Sequence, residues 1–335
     1  MQPNKRYFWW IAASIFSLVL LLGLMALSLS VGELDVSLME AVKLLFKRSE
    51  EPDIAQMLIS EVRLPRIMLG VAVGGSLSLA GVILQGIYRN PLVEPFTLGI
   101  SGGASLGVAL CIVLGLQSAF GSMMLPVAGF LGSFITILLV YSLSAKHGRI
   151  DIQRMLLIGV MISFIASSAM MFIMAITSSD NLQGIIFWTM GSLDQSNKTL
   201  IYSTLGLSVA VLVVSYLFVQ PLNALRLGEE KAKHLGINTD VAVKLLFVLT
   251  SLLTGICVAV AGVIGFVGLI IPHVLRLIFG SDYRVLLLNS FLLGACFIVS
   301  SDMLARTIIS PNELPIGVIT GMLGGISFIV IMSRK

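Results

Sequence analysis

The sequence predicts an all-α integral membrane protein with ten transmembrane helices and an inverted internal repeat. Of its 335 residues, 57% are hydrophobic and only 11% are charged, and the mean hydropathy is +1.02. A soluble domain carries about 25% charged residues, so this composition excludes soluble enzymes, nucleic-acid-binding proteins and disordered scaffolds. The net charge of +4 therefore bears on orientation in the membrane more than on an anionic partner.

Stretches without Asp, Glu, Lys or Arg locate the spans, since a transmembrane helix needs about 20 apolar residues. These stretches are 7–32, 67–88, 95–145, 155–179, 199–225, 245–275, 285–301 and 314–333. The first follows Lys5 and Arg6 but exceeds the apolar region of a cleaved signal peptide, about 7–15 residues, so we expect a retained span. The third is long enough to cross twice and contains Gly121 and Pro126 near its middle.

The basic residues predict that both termini are cytoplasmic, because cytoplasmic loops are enriched in Lys and Arg. With ten spans, fourteen of the 21 Lys and Arg residues lie inside. The others would lie outside: Lys43, Lys47, Arg48, Arg63, Arg66, Lys198 and Arg306. Lys244 and Arg276 are both inside in this arrangement, so the stretch 245–275 must cross the membrane and return.

Aligning the chain with itself at an offset of 181 residues predicts the internal repeat. The matches are Gly74 with Gly255, 80–83 with 261–264 (both AGVI), Pro91 with Pro272, and Gly99 with Gly280. Five spans separate the partners, and an odd number reverses the direction of the chain, so the two halves have opposite topology. We place the first repeat at about 63–180 and the second at about 240–333, within a single membrane domain of residues 1–335. Inverted repeats are a recurrent architecture of transporters.

Two sets of glycines at a spacing of four residues predict close helix packing. They are Gly99, Gly103 and Gly107, and Gly317, Gly321 and Gly325. Packing within one bundle is the simplest interpretation, and a pore lining or a subunit interface is the alternative.

The chain lacks the motifs of the common catalytic and metal sites. There is no GxxxxGK[ST] phosphate loop and no Ser-His-Asp arrangement. The histidines, at His147, His234 and His273, are far apart and have no carboxylate at metal-ligand spacing. The cysteines, at Cys111, Cys257 and Cys296, lie in apolar runs and are expected to be small buried side chains. We therefore expect a conduit rather than an enzyme, with no cofactor or metal of its own.

Three polar features remain. The cytoplasmic loop 220–240 contains a predicted short charged helix over 228–234 that Gly236 ends, and a plain solvated connector is the alternative. Arginines gather at the outer face (Arg63, Arg66 and Arg306), where anchoring to the membrane interface is the alternative. Asp302 lies in an apolar span four residues before Arg306, a spacing at which the two side chains can pair on one helix face.

Seven motifs along nearly the whole chain resemble the FecCD family of permease subunits from bacterial ATP-binding-cassette importers. They are RLPR (63–66), AGxxLQGxxRNPL (80–92), LGISGGASLG (98–107), FWTMGSL (187–193), LGEEKAKHLGI (227–237), GFVGLIIPHVLRL (265–277) and ELPIGVITGMLGG (313–325). The resemblance implies a type II importer permease fold in the bacterial cytoplasmic membrane. It also implies a homodimer around one pathway, two ATPase subunits that hold ATP and Mg²⁺, and a periplasmic or lipoprotein substrate-binding protein.

The resemblance also implies roles for particular residues. The positions that match the helices contacting the ATPase are Leu227, Gly228, Glu229, Ala232, Leu235 and Gly236. Arg63, Arg66 and Arg306 match the points at which acidic residues of the binding protein dock. The loop 145–151, with His147 and Arg149, matches the cytoplasmic gate by position only.

The cargo that the resemblance implies is an iron-siderophore or related metal chelate, with haem or vitamin B12 as alternatives. The mechanism it implies is alternating access, driven by the ATPases. An ion-coupled secondary transporter is a competing class, but such carriers usually keep an ionisable residue near the membrane midplane, and the predicted spans have none there. A structural or assembly protein without transport is a further alternative, which the repeat and the glycines disfavour.

Overall fold

The computed structural model describes residues 3–32, 36–46, 53–146, 149–310 and 312–333. Helices of the first half are α1 (Pro3–Ser30), α2 (Leu38–Phe46), α3 (Ile54–Met57), α4 (Leu64–Tyr88), α5 (Ile100–Val113), α6 (Leu116–Phe120), α7 (Met124–Ser144) and α8 (Ile152–Ile176). Helices of the second half are α9 (Ser179–Thr189), α10 (Lys198–Ser215), α11 (Val219–Leu225), α12 (Glu229–His234), α13 (Thr239–Ala261), α14 (Val267–Phe279), α15 (Tyr283–Thr307) and α16 (Ile316–Ser333).

Short irregular helices and one pair of strands connect these elements. A π-helical stretch, Leu58–Arg63, joins α3 to α4, and 3₁₀ turns occupy Pro95–Leu98 and Tyr216–Phe218. Strands β1 (Ala145–Lys146) and β2 (Arg149–Ile150) pair antiparallel between α7 and α8. Polar side chains begin several long helices by accepting a backbone N–H bond, namely Asp151, Asn197, Asn238 and Asp282.

The apolar helices match the ten predicted spans. Eight helical segments are long and apolar enough to cross a membrane: Tyr7–Ser30, Ile54–Tyr88, Met124–Ser144, Ile152–Ile176, Lys198–Leu225, Thr239–Ala261, Tyr283–Thr307 and Ile316–Ser333. Two shorter apolar helices, α5 and α14, complete the set within the described residues. They lie where the sequence predicts that 95–145 crosses twice and that 245–275 crosses and returns, so the predicted fold class is confirmed.

The repeat is visible in the order of helix lengths. A long helix, a short one and two long ones follow each other in α4, α5, α7 and α8, and again in α13, α14, α15 and α16. The sequence matches do not follow the helix ends, however. The AGVI run at 80–83 lies inside α4, whereas 261–264 spans the end of α13, because Gly262 leaves the helix with a φ of 71°. The offset of 181 residues therefore detects the repeat without aligning its elements residue by residue.

Helix α4 is the centre of the bundle and is buried along nearly its whole length. Glycines let two neighbours approach it closely. A Cβ atom on Gly74 would lie 2.3 Å from the carbonyl oxygen of Gly294 in α15, and one on Gly81 would lie 2.1 Å from that of Gly268 in α14. Side chains at these positions would clash with backbone, so α4, α14 and α15 pack as one tight unit.

The two glycine sets have different surroundings. Gly103 and Gly107 pack α5 against α7, with a Cβ on Gly107 only 2.5 Å from the carbonyl oxygen of Ala128. On α16, by contrast, a Cβ atom added to Gly321 or Gly325 would meet no described atom within 4 Å. The first set is packing within the chain, and the second lies partly on an open face. The three cysteines are free and buried, as expected.

Candidate functional site

The loop 220–240 forms the short charged helix that the sequence predicts. After α11, Gly228 adopts a φ of +111° and α12 begins at Glu229, with Lys233 hydrogen-bonded to Glu229 at 2.7 Å. Gly236 follows with a φ of +81°, in the left-handed region that glycine adopts without steric cost. We call residues 227–236 the coupling segment.

The predicted coupling residues differ in their exposure to solvent. Ala232 is fully buried, so it holds α12 against the body of the protein. Leu227 and Leu235 are 59% and 63% exposed on either side of α12. Two exposed leucines beside charged residues form an amphipathic surface outside the spans, and such surfaces are suited to contact with another protein.

The three outer arginines are brought together, with Asp302 between two of them. Arg66 pairs with Asp302 at 2.8 Å and with Glu313 at 2.8 Å, and Arg306 pairs with Asp302 at 3.1 Å. The predicted pairing of Asp302 with Arg306 is therefore present. We call Arg66, Asp302, Arg306 and Glu313 the outer charge cluster.

These guanidinium groups also bind backbone and hydroxyl oxygens at the end of α1. Arg63 donates to the Leu29 carbonyl at 2.7 Å, and Arg306 donates to Ser28 Oγ at 2.8 Å. Arg63 is only 4% exposed. Glu313, at 48% side-chain exposure, is the most accessible member of the outer charge cluster. Arg63 and Arg306 therefore hold the end of α1, and Arg66 joins α4 to α15.

The predicted gate loop forms the small two-stranded turn between α7 and α8. The backbone of Arg149 pairs with Lys146, and Ile150 pairs with Ala145. His147 lies outside the described residues.

A set of buried hydrogen bonds links α4 to α14, and the sequence analysis did not predict it. Pro272 has no N–H, so the carbonyl of Gly268 four residues earlier loses its helical donor. Gln85 Nε2 donates to that carbonyl at 2.9 Å, and Arg276 in turn donates to Gln85 Oε1. The signal in the sequence was a glutamine in one apolar run and a proline in another, but nothing in the sequence shows that they meet.

Glu94 is a second residue that sequence reasoning missed. It lies in the connection between α4 and α5 and accepts a hydrogen bond from the backbone N–H of Phe266 at 3.3 Å. Phe266 adopts a φ of +69°, which is uncommon for a residue with a side chain. Burial raises the pKa of the Glu94 carboxyl, and the bond from Phe266 opposes that rise. Glu94 directly precedes the charge-free stretch 95–145 and so lies outside the predicted spans, where the sequence gives no sign that a carboxyl is buried.

A polar cavity of about 440 Å³ opens beside the connection between α9 and α10. Trp188, Asp194 and Asn197 contribute to its lining, together with Ser122 before α7 and Gly262 after α13. Across the described residues, no three His, Cys, Asp or Glu side chains come together as a metal site.

Comparison with known proteins identifies the family. The model of the FecCD transport family matches residues 19–334. This chain belongs to the FecCD transport family. The hemin transport system permease protein HmuU of Yersinia pestis is 36% identical over 321 residues, covering 94% of this chain and 96% of the relative. The Fe(3+)-citrate import system permease protein YfmD of Bacillus subtilis is 34% identical over 321 residues, covering 96% and 94%.

A solved structure of similar fold supports the FecCD assignment. It is described as an inward-facing conformation of a metal-chelate type ABC transporter, and it matches with a TM-score of 0.83 and 30% identity over 97% of this chain and 100% of that one. This FecCD protein is therefore a multi-span permease subunit of an ABC importer and not an enzyme. ATP is hydrolysed by a separate subunit, and a substrate-binding protein delivers the cargo. The alternatives of a secondary transporter and of an assembly protein are excluded.

Proposed function

We propose that this permease works as a homodimer that imports an iron-siderophore or related metal chelate across the cytoplasmic membrane by alternating access. The observation that carries the proposal is the coupling segment, which presents Leu227 and Leu235 outside the spans. The relative YfmD supports the cargo class, because Fe(3+)-citrate is iron held in an organic chelate, whereas the hemin permease HmuU supports haem as the alternative. Haem and vitamin B12 are the alternative cargoes.

The coupling segment is the proposed contact with the ATPase, which would hold ATP and Mg²⁺. Burial of the two exposed leucines in a groove of the partner would stabilise the complex by about 1.5–3 kcal/mol each. Gly228 and Gly236 set the entry and exit of α12, and buried Ala232 fixes it to the permease. Because α12 is fixed in this way, movement of the ATPase would be transmitted to the permease.

Leu235→Glu tests this contact. We expect the variant to insert normally but to recover at most about a tenth of the ATPase in co-purification, because a buried carboxylate without a partner is costly. Leu114→Glu is the matched control, since Leu114 is 67% exposed in the connection between α5 and α6. Normal recovery of the ATPase with Leu235→Glu would refute the assignment.

Arg63, Arg66 and Arg306 are the proposed docking points for acidic residues of the binding protein. Glu313 already pairs with Arg66, so it would compete with a carboxylate of the binding protein for the same guanidinium group. We therefore expect Glu313→Gln to speed association with the binding protein several-fold at low salt, and the gain to fade as salt increases. If Glu313→Gln leaves the association rate unchanged at every ionic strength, Arg63, Arg66 and Arg306 serve only to hold the outer ends of the helices together.

The open face of α16 supports the homodimer. A Cβ on Gly321 or Gly325 would have no neighbour within the described chain, and Met322 and Ile326 beside them are 61% and 60% exposed. A cysteine at position 321 should crosslink two copies in membranes, whereas one at exposed Leu217, just after α10, should not. Absence of the crosslinked dimer would argue against this face as the interface.

We further propose that both termini are cytoplasmic and that the 145–151 loop gates the inner end of the pathway. Single cysteines at Glu61 and Asn312 should react with a membrane-impermeant maleimide in intact spheroplasts, in a background without native cysteines. Cysteines at Arg89 and Asp282 should not react. Labelling at position 282 from outside would overturn the proposed orientation, because 245–275 would then cross only once.

A further inference from the structure

Helix α11, which leads directly into the coupling segment, is hydrogen-bonded to the turn between α14 and α15. Asn223 Nδ2 donates to Asp282 Oδ1 at 3.2 Å, and Asn223 Oδ1 accepts from the backbone N–H of Tyr283 at 3.2 Å. Arg226 Nη1 donates to the Ser281 carbonyl at 2.6 Å. Three consecutive residues of the turn are thus bonded to the end of α11.

These bonds fall on the first turn of α15. Asp282 is the N-cap of that helix and accepts from the Arg284 N–H at 3.0 Å. Tyr283 is 1% exposed, and its hydroxyl lies against α4, where a Cβ on Gly86 would be 2.3 Å away. Asn223 therefore contacts the backbone of a residue that is fixed in the core of the bundle.

We call the hydrogen bonds between α11 and residues 281–283 the joint. Helix α15 extends from this joint to the outer charge cluster. Its 25 residues correspond to a length of about 37 Å at 1.5 Å per residue. Asp302 and Arg306 lie near its far end, where Asp302 pairs with both Arg306 and Arg66. The close packing of Gly294 on Gly74 of α4 prevents the helix from sliding independently. A displacement of its first turn would consequently move the whole helix as a rigid body, together with the outer charge cluster at its far end.

We propose that Asn223 is a positioning residue that links the coupling segment to α15 and, through α15, to the outer charge cluster. The inference rests on the proposed docking of the ATPase below and of the binding protein above. Binding at the two ends is then reciprocal: the nucleotide state of the ATPase changes affinity for the binding protein, and the binding protein changes affinity for nucleotide by the same factor. Asn223 itself contacts neither partner.

A polarity swap tests the joint. Asn223→Asp places two carboxylates about 3.2 Å apart and should loosen the joint. Adding Asp282→Asn removes one of the two charges and supplies an amide N–H that can donate to the carboxylate at position 223. Because Asp282 Oδ1 also accepts from the Arg284 N–H, Asp282→Asn alone is measured as the reference. The complete complex in nanodiscs is assayed for basal ATP hydrolysis and for the Kd of the ligand-free binding protein, with and without a non-hydrolysable ATP analogue. We expect Asn223→Asp to keep basal hydrolysis within about twofold and to shrink the nucleotide-dependent change in Kd at least about fivefold.

Rescue by the double variant distinguishes coupling from general damage. Asn238→Asp is the matched control, because Asn238 also caps a cytoplasmic helix start but belongs to α13 rather than to the joint with α15. Arg226→Gln, which removes only the bond to Ser281, should give a smaller loss of the same kind. Three results would each overturn the proposal: an unchanged Kd ratio in Asn223→Asp, a double variant no better than Asn223→Asp although Asp282→Asn alone behaves normally, or an equal loss of basal hydrolysis.

Failure of the underlying assignments would be seen separately. If the ATPase binds elsewhere, Leu235→Glu assembles normally whatever Asn223→Asp does. If the ATPase assignment is right and the joint is not, Leu235→Glu blocks assembly while Asn223→Asp behaves as the unmodified protein.

Discussion

Substitution of Gln85 by Met should destabilise the bundle through the carbonyl that Pro272 leaves without a helical donor. Methionine keeps the length and approximate volume of glutamine, so packing between α4 and α14 changes little. The Gly268 carbonyl loses its donor at 2.9 Å, and Arg276 loses the side-chain oxygen to which it donates. Gln85 is 3% exposed and Gly268 is buried, so water cannot replace the bond to the Gly268 carbonyl, whereas Arg276 is only partly buried.

The expected cost follows from these two lost bonds. A buried polar group left without a partner costs about 1–3 kcal/mol. Interhelical hydrogen bonds in membranes contribute less, about 0.6 kcal/mol on average and about 1.7 kcal/mol at most. Arg276 keeps a long contact to the Val82 carbonyl at 3.5 Å, which limits its share. We therefore expect Gln85→Met to lower the free energy of unfolding by about 1–2 kcal/mol, most of it from the Gly268 carbonyl.

A double-mutant cycle isolates the carbonyl. Pro272→Ala restores an N–H that can bond to Gly268 within the helix, so most of the cost of Gln85→Met should disappear when both substitutions are combined. Unfolding free energies come from SDS titration in detergent micelles, and exposed Gln153→Met serves as the control. An equal cost of Gln85→Met with and without Pro272→Ala would refute the link between Gln85 and Pro272.

Three further predictions concern packing and charge. Gly81→Ala should prevent assembly of the folded bundle, because its Cβ would lie 2.1 Å from a backbone oxygen, whereas Gly206→Ala, with no atom within 4 Å, should leave the melting temperature within about 2 °C. Glu94→Gln should retain the bond from Phe266 and melt normally, whereas Glu94→Ala should lower stability by about 1–2 kcal/mol; equal melting of the two would argue against that bond. Asp302→Asn leaves two buried arginines facing each other and should cost about 3 kcal/mol, measured by the same SDS titration; a neutral result would contradict the cluster as a structural clamp.

Much of the candidate site could be located from the sequence because local chemistry specifies it. The short helix α12 follows from glycines on either side of a charged run, and the pairing of Asp302 with Arg306 follows from a spacing of four residues. Both depend on residues close together in the chain. Burial could not be predicted in the same way, since the sequence alone does not separate buried Ala232 from exposed Leu235 within one motif.

The sequence by itself determined the class of protein and the number of spans. Charge-free stretches of sufficient length must be helices in lipid, because every backbone group there has to bond within its own segment. Only the tertiary structure decided which distant polar groups meet: Gln85 with the Gly268 carbonyl, Glu94 with Phe266, and Asn223 with Asp282. Such pairs depend on how the helices pack, and each partner taken alone is an ordinary polar residue in an apolar or turn segment.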